Sequence, residues 1–280
     1  MKTNYLKNKW KELLDSFKEF DKRVIFIVFY DIIFFSIVLL CFLVYGKIMG
    51  KLSAALNLVD TNQLMSLPQN ELSSLLASLK GFLVYLIAGF VVVLLIILVA
   101  MCFFQGLIWF KIARKKFDCF KKFVVVNLVW FLIWLILIVF LVLVLKKEAL
   151  APVMLAIILS IVHFTNILYV KFSQEHSFDV IKKSLVIGLA SFYLIPYLIF
   201  GLIFTSKPKL DFVKNSIKTW LSFLIYYIII AVVILAVSLA LSIFLFLPEN
   251  IQGVIGMIII LIYLAWARIY LYNVVKNISI

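Results

Sequence analysis

SLVIGLASFYLIPYLIFGLIFT, residues 184–205, decides how this chain is threaded. At 22 residues it has the length of one membrane crossing at about 1.5 Å per residue. Yet Lys207, Lys209, Lys214 and Lys218 follow it closely. A full crossing would place all four across the membrane from the basic run that precedes the segment. Gly188, Pro196 and Gly201 interrupt it. A bent or re-entrant hairpin keeps those charges on one side, provided its irregular backbone is buried in protein.

Outward from this segment the chain reads as spans. Two thirds of its 280 residues are hydrophobic and 14% are charged, more apolar surface than a water-soluble core can hide. Apolar runs fall at 24–46, 82–110, 123–145, about 152–170, 220–247 and 252–273. With the hairpin they make an all-α polytopic bundle of six full spans within one integral membrane domain, residues 1–280. The alternative is seven spans. Six is preferred because both ends and 22 of the 27 Lys and Arg then lie in the cytoplasm, as the positive-inside bias asks.

Amphipathic stretches flank the spans. Residues 4–20 are predicted to form an interfacial helix, with Trp10, Leu13, Leu14, Phe17 and Phe20 on one face. Residues 47–81 suit an outer amphipathic loop. There Ser66 and Gln69 have capping-box spacing, Pro68 starts a helix, and Leu72, Leu75, Leu76 and Leu79 form its stripe.

Four of the seven aspartates share one pattern: apolar, Asp, any residue, apolar, Lys. The copies are 14–18, 117–121, 178–182 and 210–214. Asp near a helix start complements the dipole, and Lys three residues on shares its face. This predicts repeated cytoplasmic lead-in helices. The layout resembles uncharacterised prokaryotic membrane families near the membrane domain of glycerophosphodiester phosphodiesterases. That resemblance implies amphipathic cytoplasmic helices alternating with apolar hairpins. Their catalytic domain has no counterpart here, and no functional residue carries over.

Six spans bring polar residues to a shared depth: Asp31, Gln105, Asn127, His163, Asn166 and Arg268. Of the 13 acidic residues only Asp31 falls inside a span, and of the basic residues only Arg268. Each ion costs about 3 kcal/mol in lipid, so the two are expected to pair and bring the first and last spans together. The layer serves either as interhelical bonding, about 0.6 kcal/mol per contact, with Arg268 reaching for headgroups, or as a polar cavity or proton relay through Asp31 and His163.

The block KIARKKFDCFKK, residues 111–122, is the strongest basic signal. Lys115, Lys116, Lys121 and Lys122 are the candidate contacts for anionic lipid headgroups or a protein partner. A homo-oligomer is a further partner class. Nucleic acid is not expected, because the basic residues sit in short blocks beside apolar runs. Cys41, Cys102 and Cys119 are scattered and support neither disulfides nor a metal site. No catalytic motif is present and no cofactor is implied. The sequence thus points to a non-enzymatic multi-pass cell-membrane protein, with a small-solute transporter or channel as the alternative.

Overall fold

The structure is a computed structural model that describes residues 2–19, 21–55, 69–145, 147–204, 209–242, 248–276 and 278. Its regular elements are all helices: α1 (Lys2–Lys18), α2 (Lys22–Ala55), α3 (Gln69–Ile112), α4 (Phe120–Val144), α5 (Lys147–Glu175), α6 (Asp179–Phe192), α7 (Leu194–Phe204), α8 (Lys209–Ser242) and α9 (Glu249–Lys276). Six of these, α2, α3, α4, α5, α8 and α9, are long and apolar enough to cross a membrane. Helices satisfy every backbone group internally, which lipid demands. The chain forms two compact units, one of Met1–Tyr30 with Gln105–Ile280, the other Asp31–Phe104.

The 184–205 stretch is two short helices broken at Tyr193. Pro196 explains the position, because a proline ring clashes with the carbonyl four residues back. That carbonyl belongs to Phe192, the last residue of α6. Pro196 then sits in the first turn of α7, where its missing N–H costs nothing. At 14 and 11 residues neither half is long enough to cross.

Hydrogen bonds in the larger unit fix the direction of each helix. Tyr226 on α8 donates to the Ala267 carbonyl on α9 (3.5 Å), and Tyr263 donates back to Ile230 (3.2 Å). Rising numbers on one helix meet falling numbers on the other, so α8 starts at the end where α9 finishes. Likewise Ser191 meets His163, and Lys183 pairs with Glu175. So α6 leaves from the end where α5 finishes. The broken segment therefore begins and returns at one end of the unit.

That end is the basic one, and the core gathers there. Arg23 reaches the Ile112 carbonyl (3.4 Å), Lys115 donates to the Gln174 carbonyl (2.8 Å), and Lys171 to the Ile278 carbonyl (3.1 Å). Trp109, Phe110, Phe123, Phe172 and Tyr270 are fully buried nearby. The far halves of the same helices stay exposed, with Leu143 at 80% and Leu155 at 60%. Water would penalise such surface, whereas acyl chains cover it at no cost.

Several boundaries differ from the sequence reading. Helix α2 runs through Gly46 and Gly50 to Ala55, since a glycine costs only about 1 kcal/mol in a helix interior and the apolar run outweighs it. Residues 69–81 belong to α3, continuous with its span. Residues 47–55 and 69–81 are thus helical, while 56–68, with Ser66 and Pro68, lie outside the described residues. Helix α5 continues past Val170 to Glu175, because Lys171, Phe172 and Ser173 are buried.

The lead-in repeat does not recur as one structure. Asp15 lies in the last turn of α1, where it pairs with Lys18 at 3.8 Å. Asp118 sits in the non-helical 113–119 connection, and Asp179 and Asp211 open α6 and α8. The N-caps of α4 and α6 are Cys119 and Phe178, without side-chain cap bonds. A five-residue spacing sets an i,i+3 pair but not where a helix begins. Nor does α1 turn its whole apolar face outward. Leu13 and Ser16 are buried, Trp266 Nε1 donates to Ser16 Oγ (3.2 Å), and Phe17 stacks on Trp266 at 5.1 Å. Trp10 and Leu14 face out.

Helix α3 ends in a Schellman arrangement. Lys115 N–H reaches the Phe110 carbonyl (3.0 Å), and Arg114 N–H reaches Lys111 (3.2 Å). This places Arg114 at φ 57°, a left-handed position that only glycine takes without strain. Replacing Arg114 with glycine should stabilise the fold by ~1 kcal/mol, read as a raised thermal midpoint in detergent. A lowered midpoint would show that the arginine side chain outweighs the backbone strain.

Candidate functional site

The break at Tyr193 is gripped by one face of α5. Ser160, His163 and Phe164 lie three and four residues apart, hence on one side of the helix. Opposite them, α6 presents Ser184, Gly188 and Ser191, all buried. Small residues at this spacing let two helices approach closely. At Gly188 a Cβ would lie 2.5 Å from Phe164 Cδ1, so only glycine fits under that ring.

The hydrogen bonds run in a defined order. Ser160 donates to the Ala156 carbonyl at 2.7 Å, so its oxygen accepts the Tyr193 hydroxyl, also at 2.7 Å. Ser191 donates to the Gly188 carbonyl (3.0 Å) and accepts from His163 Nε2 (2.7 Å). The other ring nitrogen, Nδ1, then accepts the Tyr227 hydroxyl from α8. Donors and acceptors match around a neutral imidazole. Phe164, Phe192 and Phe223 surround the ring. This arrangement ties the broken segment to α5 and α8, with Ser160, Tyr193, Ser191, His163 and Tyr227 bonded to each other.

Two residues of the expected polar layer, Asn127 and His163, have defined hydrogen-bond partners. Asn127 is buried on α4, donating to Phe123 carbonyl (2.9 Å) and accepting the Tyr169 hydroxyl (2.7 Å). Trp130 Nε1 donates to Thr165 Oγ1 (2.9 Å), and Trp134 packs edge-on against Phe164. His163 belongs to the cluster at the break. Gln105 on α3, Asn166 on α5 and Arg268 on α9 are half-buried. Asp31 is fully buried on α2. Among the described residues no three His, Cys, Asp or Glu side chains gather as a metal site.

The basic end forms a second feature. Lys116, Lys121 and Lys122 are exposed around the start of α4. Lys115 is exposed too but caps α5, its ammonium on a carbonyl of the last turn, where the dipole is negative. Beside it Phe117 fills the space over Gly106 and packs on Phe110 and Phe123. Burial pushes the Cys119 thiol up from its ordinary range. Arg23 is the hub of this end: Nε meets both Asp21 oxygens at 2.8 Å, and Nη2 reaches the Glu19 carbonyl at 3.4 Å. The guanidinium holds the Asp21 carboxyl below its ordinary range.

Sequence reasoning missed Ser160, Ser191, Tyr193, Tyr227 and Arg23. The stripe Ser184-Gly188-Ser191 was a readable signal for the α6 contact. Tyr227 carried none, because its partner His163 is 64 residues away, and the reach of Arg23 to Ile112 is equally non-local, although Asp21 and Glu19 lie beside it in the sequence. No protein-family model, curated protein or solved structure matches this chain.

Proposed function

We propose that the chain is a non-enzymatic multi-pass protein of the cell membrane, with both termini in the cytoplasm, whose basic end engages anionic lipid headgroups there. One observation carries this reading. The first turn of α4 holds no acidic residue and no side-chain cap, yet Lys121 and Lys122 occupy it and Lys116 stands beside it. Cations at a helix N-terminus oppose the dipole, and an anionic phosphate there offsets both the lysines and the free N–H groups. A protein partner with acidic side chains is the second class that fits this chemistry. The transporter alternative draws no support from the break at Tyr193, whose hydroxyls and imidazole are engaged with one another.

The test is the triple variant Lys116→Gln, Lys121→Gln, Lys122→Gln in nanodiscs of mixed phosphatidylglycerol and phosphatidylcholine. Each lysine near an anionic surface contributes about 1 kcal/mol. The phosphatidylglycerol enrichment of the lipid shell should therefore fall by roughly tenfold or more. Lys115 is left in place because it caps α5. Unchanged enrichment would refute the lipid reading, and loss of a co-purifying acidic protein would favour the partner.

A further inference from the structure

The smaller unit carries a cavity that the basic end does not explain. Helices α2 and α3 run antiparallel there, with Tyr45 donating to the Leu86 carbonyl at 2.9 Å. Between them lies a groove of about 420 Å³, floored by Gly89 and Val93 and walled by Leu40, Val44, Ile48 and Val92. The notch exists because Gly89 has no side chain, and the Tyr45 ring lies 3.0 Å from where its Cβ would be. The Tyr45 hydroxyl is already bonded, so the lining asks for no polar ligand.

We propose that this groove holds one acyl chain of an anionic phospholipid, whose phosphate is taken by Lys47 and Lys51. Size argues for a single hydrocarbon chain. From Leu40 to Met49 the groove is about 13 Å long and apolar, which suits a hydrocarbon chain lying along it. Charge placement argues for the headgroup. Leu40, Val44, Lys47 and Lys51 are spaced four, three and four residues apart, so they form one row along α2. Both lysines are exposed, and the row passes from groove wall to ammonium groups, matching a lipid from tail to phosphate. Both helices are of membrane-crossing length, so the groove opens to acyl chains.

The test uses full-length protein carrying the Lys116, Lys121 and Lys122 substitutions, so that the basic end contributes nothing, delipidated in detergent. Phosphatidylglycerol and phosphatidylcholine with identical chains are added back and bound lipid is counted by native mass spectrometry. One phosphatidylglycerol per chain is expected, preferred about tenfold over phosphatidylcholine. Lys47→Gln with Lys51→Gln should abolish the preference while leaving the tail bound. Val92→Trp, at a lining position 54% exposed, should fill the groove and remove both lipids without loss of helix content by circular dichroism. Equal binding of the two lipids by the parent, or undiminished binding by Val92→Trp with helix content intact, would overturn the assignment. Binding that survives only without the basic-end substitutions would overturn it too, and would place the lipid at that end. If Val92→Trp does not fold, Ile96→Trp, at a lining position 46% exposed, fills the same groove and is read in the same way.

Discussion

Gly188→Leu is expected to destabilise the fold strongly. Even the first carbon of a side chain would meet the Phe164 ring at 2.5 Å, and α6 cannot retreat without breaking Ser191 from His163 and Tyr193 from Ser160. Overpacking of this kind costs about 3 kcal/mol, seen as a large fall in thermal midpoint in detergent. Gly188→Ala should be milder, and Phe164→Ala should partly rescue it by vacating the space. Gly253→Ala is the control, since no atom lies within 4 Å of its Cβ position. It should be neutral or slightly stabilising. Equal effects at the two glycines would mean that α5 and α6 do not pack as described.

Arg23→Gln should also destabilise the fold. The guanidinium is only 12% exposed and bonds the Ile112 and Glu19 carbonyls together with the Asp21 carboxylate. Losing charged hydrogen bonds at such a junction costs about 2 kcal/mol, again read as a lowered midpoint. The pH dependence gives an independent check. Arg23 depresses the Asp21 pKa from its ordinary 3.8, so the stabilising contribution is full above that value and is lost as pH falls through the depressed one. The wild-type midpoint should therefore approach that of Arg23→Gln between about pH 4 and pH 2. A constant gap between the two down to pH 2 would contradict the Asp21 contact.

What the sequence disclosed follows from which interactions are local. Span-length apolar runs stand out because each crossing must be apolar along its whole length, and all six helices of that length were legible. Pro196 marked the break because a proline acts on a carbonyl only four residues away. Asn127, Trp130 and Trp134 share one helix face, as do Tyr263, Trp266 and Tyr270, and all six side chains are buried. Contacts between distant helices were not. His163 was visible as a lone polar residue, but Ser191 is 28 residues away and Tyr227 is 64 away. Lys115 looked like a solvated cation of the same kind as Lys116 and proves to cap α5. The aspartate repeat misled because a recurring pentapeptide says nothing about which helix end it occupies.

The return of the broken segment to its own side underlies both the span count and the proposed cytoplasmic placement of the basic end. The most direct test is single-cysteine labelling at Lys116, Lys182, Lys214 and Pro248, all exposed, in a background with Cys41, Cys102 and Cys119 replaced. A membrane-impermeant maleimide applied to intact cells should label position 248 alone, and positions 116, 182 and 214 should react only once the membrane is opened. Labelling of position 214 from outside, with 116 and 182 still protected, would mean that residues 184–205 cross the membrane, contradicting the account.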